Sequence, residues 1–233
     1  MSELAVSILR GEEWAEYLVP LQRHQTVLDL VTWIQRHRDP SLAYRFACRV
    51  GMCGSCAMTV NGRPRWTCRT RVEDVAENAH LRLEPLANFP VIKDLTVDME
   101  PFFQQHERAV ARFFPGGGDG DFACVSPGSP ARQRADAGIE CIGCGVCAAA
   151  CETVAAFPGY LGPAALNRVW TLVNDSRDGA GRARLAAVAG DFGAHGCASH
   201  QECSEVCPKH LDLAGAIAAL KRTAFRAALT GGR

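Results

Sequence analysis

The hydrophobic pattern of the chain changes near residue 97. Before that point, short apolar runs of strand length alternate with polar turns, whereas later apolar residues recur at helical spacing. The runs LAVSIL and AEYLVP flank RGEEW and predict a β-hairpin. A second hairpin is predicted for AMTV and RPRW, because the intervening Asn61-Gly62 is the strongest short signal for a two-residue turn. HLRLEPL supplies a last strand.

One helix is predicted between these two hairpins. Apolar side chains recur at helical spacing through TVLDLVTWIQRH, Thr26 is placed to cap the N-terminus, and Asp39-Pro40 ends the helix. A small mixed sheet with a single helix across it is the β-grasp pattern. We therefore predict a β-grasp domain over residues 1–97.

Beyond residue 97 the pattern is helical. DMEPFFQQHERAVARFF predicts a helix over 98–114 with Asp98 as its cap, and PGGGDGDF predicts a flexible break. From Ala131 the chain is expected to form helices separated by cysteine-containing loops, with DLAGAIAALKRTAFRAAL as the closing helix. The predicted fold class is α+β, in which an all-helical domain over residues 98–233 follows the β-grasp domain.

Composition narrows the function classes. Lysine plus arginine and aspartate plus glutamate number 25 each, so a global electrostatic basis for nucleic-acid binding is missing. No apolar stretch approaches the ~20 residues that span a bilayer, and MSELAVSILRGEEW has no signal-peptide features. We expect a cytoplasmic protein that reaches a membrane only through a partner.

The cysteine content points to metal. Twelve cysteines lie in tight clusters rather than at the spacings of disulfides that staple loops, and nothing indicates export. In a reducing compartment such clusters indicate metal binding, so a disulfide framework is the disfavoured alternative.

The first cysteine set lies in CRVGMCGSC. Its C-x4-C-x2-C spacing, with one more cysteine further along, is the plant-type signature of a 2Fe–2S cluster. Gly51 and Gly54 allow the backbone to approach the sulfurs closely. A structural zinc site is the alternative, although such sites rarely use this pair of gaps. The predicted 2Fe–2S ligands are Cys48, Cys53, Cys56 and Cys68.

Two further cysteine runs interlock. CIGCGVCAAAC matches the bacterial C-x2-C-x2-C-x3-C run, whose fourth cysteine ligates the other cluster, and CASHQECSEVCP repeats the run with His200 in its second slot. The crossing rule predicts one 4Fe–4S cluster and a second site with three thiolates, which suits a 3Fe–4S cluster. Zinc fits poorly, since eleven cysteines do not divide into tetrahedral sets. Cys124 is predicted to be an unligated thiol. The predicted 4Fe–4S ligands are Cys141, Cys144, Cys147 and Cys207, and the predicted 3Fe–4S ligands are Cys151, Cys197 and Cys203.

His200 leaves two alternatives open. Imidazole can ligate cluster iron, as it does in Rieske centres, so the third site is either a 3Fe–4S cluster beside a non-ligating histidine or a 4Fe–4S cluster with one imidazole ligand. We favour the first alternative.

These motifs, in this order, resemble the iron–sulfur subunits of succinate dehydrogenase and fumarate reductase. CRVGMCGSC, CIGCGVCAAAC and CSEVCPKH carry the resemblance, and LANFPVIKDLTVDM and GPAAL are similar to the fumarate-reductase branch. The resemblance implies a 2Fe–2S ferredoxin domain followed by a helical ferredoxin domain. It further implies a flavoprotein partner with FAD, membrane-anchor subunits and a quinone, and a position on the cytoplasmic face of the cell membrane. Either direction of electron flow is compatible with the sequence.

The resemblance extends less well to the quinone contacts. Glu152 and Ala156 stand where family members often carry proline and tryptophan. Lys221 lies fourteen residues after Cys207, where menaquinol-oxidising members place a lysine near the quinone, and a lysine can donate a hydrogen bond to a quinone oxygen. Lys221 and His200 are therefore the candidate residues near a quinone, expected to be menaquinone.

Clustered cysteines are compatible with three functions other than a subunit of this complex. A free ferredoxin-type carrier seldom needs two domains and three clusters. A zinc-stabilised interaction module would contain zinc without acid-labile sulfide. An electron-carrier subunit of another flavin-dependent oxidoreductase is the nearest alternative.

Overall fold

A computed structural model describes residues 3–117 and 125–230. The chain forms two compact units: the first contains the described residues up to Met99 together with Ile142–Ala150, and the second contains the described remainder. The predicted boundary between residues 97 and 98 stays a prediction. Cys124 and the C-terminal part of the predicted break at 115–122 lie outside the described residues.

The first unit is built on a five-stranded mixed sheet. Its strand order is β2-β1-β5-β3-β4, in which β1 and β5 are parallel and all other neighbours are antiparallel. Both predicted hairpins form, and the predicted β-grasp arrangement is confirmed. The strands are β1 Glu3–Arg10, β2 Glu13–Pro20, β3 Ala57–Val60, β4 Arg63–Trp66 and β5 His80–Glu84.

The predicted helix α1 spans Val27–His37. Thr26 caps it as predicted: its hydroxyl accepts a hydrogen bond from the backbone N–H of Asp29, and the Asp29 carboxylate accepts one from the backbone N–H of Thr26. Leu30 and Ile34 are fully buried in the core between the helix and the sheet. The helix thereby covers one face of the sheet.

A small hairpin in the first unit escaped sequence prediction. Strands β6 (Val91–Lys93) and β7 (Thr96–Val97) are antiparallel. Their shortness leaves no alternating pattern to detect. Asp94, at their turn, is buried and accepts hydrogen bonds from Arg10 Nε at 3.0 Å and from the backbone N–H of Ala43 at 2.8 Å. These polar contacts hold the turn of the hairpin, and burial of Leu95 in the core of the unit and of Val97 adds an apolar contribution.

The second unit is helical, as predicted. Apolar side chains of α6 and α9, including Leu166, Val169, Ile217 and Leu220, form its buried core. Among the described residues, no helix has both the length and the hydropathy required to cross a bilayer. The α-helices described in the second unit are α2 Glu100–Arg108, α3 Pro130–Ile139, α5 Glu152–Ala156, α6 Gly162–Val173, α7 Gly181–Val188, α8 Glu202–Glu205 and α9 Leu213–Leu229. Helix α4 (Val146–Ala149) belongs to the first unit.

Helix α2 is shorter than the sequence predicts. The sequence predicts a helix over 98–114, but α2 spans only Glu100–Arg108, because Val110 adopts a left-handed backbone conformation with φ 53°. The backbone N–H of Ala111 then donates to the carbonyl oxygen of His106, which closes the helix end. The buried Arg184 guanidinium binds the carbonyl oxygen of Val110 and so holds this turn.

Candidate metal centres

The structure brings the first four cysteines into one neighbourhood within the first unit. Burial and the adjacent thiol of Cys56 raise the pKa of Cys68 to about 12, and the charge of Cys48 acts in the same direction. The pKa of Cys53 is lowered to about 6. The hydrogen bond with the Ser55 hydroxyl is the largest cause, and hydrogen bonds with Cys48 act in the same direction. Each thiol therefore interacts with at least one other of the predicted 2Fe–2S set.

The loop that carries these thiols also supplies a backbone donor. The N–H of Met52 points at Cys48 Sγ, at an N–S distance of 3.2 Å. Arg49 ties the same loop to α1, since its guanidinium lies 2.5 Å from Asp29 Oδ1. Hydrogen bonds from the backbone to a sulfur orient the ligand and stabilise negative charge on it, as a metal-bound thiolate requires. The loop therefore fits a negatively charged cluster.

Gly54 lies against the second cysteine run. It has φ +72°, and a Cβ atom at this position would lie 2.9 Å from Cys144 Cα and overlap Cys144 Cβ. Asn88, in the same unit, donates from Nδ2 to the carbonyl oxygens of Ala148 and Ala149 at 3.0 and 3.2 Å. These contacts seat residues 142–150 against the 2Fe–2S loop. Gly54 therefore needs to be glycine for two reasons: its backbone is left-handed, and Cys144 leaves no space for a side chain.

The second and third cysteine runs share one backbone conformation. Each run places its third cysteine inside a four-residue helix, α4 or α8, and its fourth cysteine two residues beyond that helix. Left-handed residues flank the second slot of each run, so the two loops turn in the same way. These residues are Gly143 and Gly145 in the first run, and Ser199 and Gln201 in the second, with φ between 65° and 80°.

His200 therefore occupies the backbone position that Cys144 has in the other run. Its side chain is 45% exposed, and its Nδ1 lies 3.3 Å from Glu152 Oε2 and 3.8 Å from Glu202 Oε1. The imidazole thus faces surface carboxylates in the second unit. Whether it ligates iron stays a prediction.

The three thiols of the third predicted site converge within the second unit. Burial raises the pKa of Cys203 to about 12, and the charges of Cys151 and Cys197 raise it further. Burial also raises the pKa of Cys151, and the charge of Cys197 adds to the effect. The N–H of Ser199 lies 3.4 Å from Cys197 Sγ. Burial and mutual repulsion thus disfavour the thiolate forms of these groups unless a nearby cation compensates the charge, which cluster iron would do.

Sequence reasoning missed Tyr160. This residue is 2% exposed in the core of the second unit, against which Cys151 and Cys197 pack. Its hydroxyl is buried without a well-formed hydrogen bond among the described residues, yet the phenol interacts electrostatically with all three thiols of the third site, Cys197 first. Burial raises its pKa well above the ordinary value. A tyrosine before a helix carries no local signal for such a position, so only the fold reveals it.

Lys221 reaches the same site from α9. Its Nζ donates a hydrogen bond to the carbonyl oxygen of Cys197 at 2.7 Å. The predicted quinone-side lysine is therefore attached to the backbone of a predicted cluster ligand.

The remaining predicted ligands divide between the two units. Cys144 and Cys147 belong to the first unit, and Cys141 and Cys207 to the second. Cys147 and Cys207 are buried, whereas Cys141 and Cys144 are partly exposed. Their grouping around one 4Fe–4S cluster stays a prediction.

Two known domain families match the chain. Residues 9–104 match the 2Fe-2S iron-sulfur cluster binding domain, and residues 138–211 match the 4Fe-4S dicluster domain. These matches, the mixed sheet and the clustered thiols define an electron-transferring iron–sulfur protein with one cluster-binding domain of each kind.

Whole-chain relatives narrow this class. The chain is 36% identical over 217 residues to the fumarate reductase iron-sulfur subunit of Haemophilus influenzae, covering 86% of this chain and 82% of that protein. It is 39% identical over 218 residues to the corresponding subunit of Mycobacterium tuberculosis, covering 91% and 86%. The Oryza sativa mitochondrial succinate dehydrogenase [ubiquinone] iron-sulfur subunit 1 is 34% identical over 203 residues, covering 86% and 72%.

A solved structure agrees. A chain of the Mycobacterium smegmatis Sdh1 complex in the apo form matches with a TM-score of 0.86 and 27% identity over 96% of both chains. The chain belongs to the family of iron–sulfur subunits of fumarate reductases and succinate dehydrogenases, which are quinone-linked oxidoreductases. This membership favours the predicted redox subunit over a free carrier or a zinc module.

Proposed function

We propose that this chain carries single electrons between a flavoprotein subunit that holds FAD and a quinone, through 2Fe–2S, 4Fe–4S and 3Fe–4S clusters. Iron–sulfur clusters accept and release one electron at a time, which suits them to link a two-electron flavin to a two-electron quinone. The convergence of Cys151, Cys197 and Cys203 carries this proposal, because it provides a third thiol group beyond those of a 2Fe–2S and a 4Fe–4S site.

The proposed ligand sets follow the crossing of the two C-terminal runs. The two runs have the same backbone conformation, and in each run the fourth cysteine follows a four-residue helix. This similarity supports the crossing, because the fourth cysteine then has the same local geometry in both runs. The sets are Cys48, Cys53, Cys56 and Cys68 for 2Fe–2S; Cys141, Cys144, Cys147 and Cys207 for 4Fe–4S; and Cys151, Cys197 and Cys203 for 3Fe–4S.

The third site is the proposed quinone end. Lys221 is the proposed cation near the quinone oxygen, and its hydrogen bond to the carbonyl oxygen of Cys197 supports a position next to this cluster. His200 is proposed to be a non-ligating residue that faces the quinone, and its Nδ1 lies 3.3 Å from Glu152 Oε2. Membrane-anchor subunits are proposed to hold the chain at the cytoplasmic face of the cell membrane, with menaquinone as the quinone.

The quinone role is tested by replacing Lys221 with alanine in the purified native complex. Quinone-linked turnover should fall at least about tenfold, the effect of losing a charge-assisted hydrogen bond of about 1.5–3 kcal/mol. Succinate oxidation with an artificial dye that accepts electrons upstream should be unchanged. Arg222→Ala, which removes the exposed cation next along α9, is the matched control and should change neither rate.

The two assays separate the outcomes of this experiment. Equal loss of both activities in Lys221→Ala would indicate a folding defect and contradict the quinone role. Unchanged quinone turnover in Lys221→Ala would contradict it as well.

A further inference from the structure

We propose that the hydroxyl of Tyr160 donates a hydrogen bond to a sulfur of the third cluster and thereby raises the reduction potential of that cluster. The inference rests on the proposed function, because it requires a cluster at Cys151, Cys197 and Cys203. It assigns a tuning role to a residue that supplies no bond to iron.

The first observation is an unsatisfied polar group. Tyr160 is 2% exposed, and its hydroxyl meets the geometry of a hydrogen bond with no atom among the described residues, although it interacts with the side chain of Cys197. Buried hydroxyl groups in folded proteins nearly always have a partner, because an unsatisfied one loses its bonds to water without replacement. A cluster would supply acceptors here, namely its inorganic sulfides and the cysteine sulfurs.

The second observation is the direction of the phenol. Tyr160 interacts electrostatically with the thiols of Cys197, Cys151 and Cys203, in that order of strength. A Cβ added to Gly196, next to Cys197, would lie 3.5 Å from Tyr160 Cδ2, so the ring packs on the cysteine segment. The ring therefore lies beside the segment that carries Cys197, in a core against which Cys151 also packs.

The third observation is that the ring is held in place. The backbone N–H of Tyr160 donates to the carbonyl oxygen of Phe157 at 2.8 Å, and that of Leu161 donates to the carbonyl oxygen of Phe192 at 2.8 Å. The ring also belongs to the buried core of the second unit. A donor fixed by its surroundings can interact differently with the two oxidation states without moving.

The sign of the effect follows from charge. A reduced cluster carries one more negative charge than an oxidised one, so a hydrogen-bond donor stabilises the reduced form and raises the potential. A tyrosine hydroxyl is a neutral hydrogen-bond donor at physiological pH, because an ordinary phenol ionises at about pH 10.

Tyr160→Phe in the assembled complex tests the proposal. A redox titration should follow the electron paramagnetic resonance (EPR) signal of the oxidised third cluster. Loss of one hydrogen bond should lower the equilibrium constant for reduction about two- to tenfold, and tenfold corresponds to about 59 mV for a one-electron couple. Tyr17→Phe, which removes a hydroxyl bonded to Asp39 in the first unit, should leave this midpoint unchanged.

A second variant covers the case in which Tyr160→Phe fails to assemble the cluster. Replacing Tyr160 with 3-fluorotyrosine retains the ring and hydroxyl but makes the phenol a stronger donor, so the midpoint should rise. A midpoint that does not fall in Tyr160→Phe, or that fails to rise with 3-fluorotyrosine, overturns the role of Tyr160. A wild-type complex without a 3Fe–4S signal would instead overturn the proposed third cluster itself.

Discussion

Replacing Gly54 with alanine should disrupt the 4Fe–4S site although Gly54 lies in the 2Fe–2S loop. Two separate costs arise. The backbone has φ +72°, where an L-residue with a Cβ atom is strained, and the new methyl group would overlap Cys144. Gly62→Ala isolates the first cost, because Gly62 has φ +74° and nothing within 4 Å of an added Cβ.

The two costs can be sized separately. A left-handed backbone at a non-glycine residue costs about 1–2 kcal/mol, and this cost is common to both variants. Overpacking at a fixed neighbour adds about 1–3 kcal/mol, and only Gly54→Ala incurs it, since its Cβ would lie 2.9 Å from Cys144 Cα. A free-energy cost of about 1.4 kcal/mol changes an equilibrium constant tenfold. The overlap therefore disfavours the native loop conformation about 5- to 150-fold more in Gly54→Ala than in Gly62→Ala.

Cluster content is the appropriate assay for this difference. Iron and acid-labile sulfide should fall in Gly54→Ala, with loss of the EPR signal of the reduced 4Fe–4S cluster, because Cys144 is displaced. Gly62→Ala should retain the cluster content of the wild type. Equal cluster content in the two variants would refute the claim that close packing at Cys144 makes Gly54 necessary.

Three further changes test other parts of the account. Cys207→Ala should disturb the 4Fe–4S signals, and a change confined to the 3Fe–4S signal would contradict the crossed assignment. His200→Cys should supply a fourth thiolate and convert the third site to a 4Fe–4S cluster of lower potential. The oxidised 3Fe–4S signal should then be lost. Retention of that signal would argue against the shared backbone conformation of the two runs. Arg184→Met should cost about 3–5 kcal/mol in chemical denaturation, because it leaves Asp178 buried without its cation. Arg132→Met, which removes an exposed ion pair, should cost under about 1 kcal/mol, and equal costs would contradict the role of burial.

The cysteine spacings in the sequence are the basis of the proposed cluster-binding sets. Spacing is informative because ligands of one cluster must lie on tight loops, so sequence separation limits their geometry. The β-grasp sheet and Thr26 were predictable for a similar reason, since hairpin turns and helix caps are local. The resemblance to known iron–sulfur subunits rested on the same motifs.

Features that depend on distant contacts were not predictable. The end of α2 depends on Arg184, which lies far along the chain and binds the carbonyl oxygen of Val110. The hairpin at Asp94 depends on Arg10. The burial of Tyr160 beside Cys151 and Cys197 has no local pattern, because it results from the packing of separate helices and loops. Tertiary polar contacts therefore account for much of what the sequence left open.

The most direct test of the proposed three-cluster pathway is the EPR spectrum of the air-oxidised wild-type complex. The three thiols at the third site, with a non-ligating His200, predict the paramagnetic signal of an oxidised 3Fe–4S cluster. Reduction should remove this signal at a potential that quinone can reach. An oxidised complex without the signal would contradict the assignment of the third site, and with it the proposed route of electrons to the quinone.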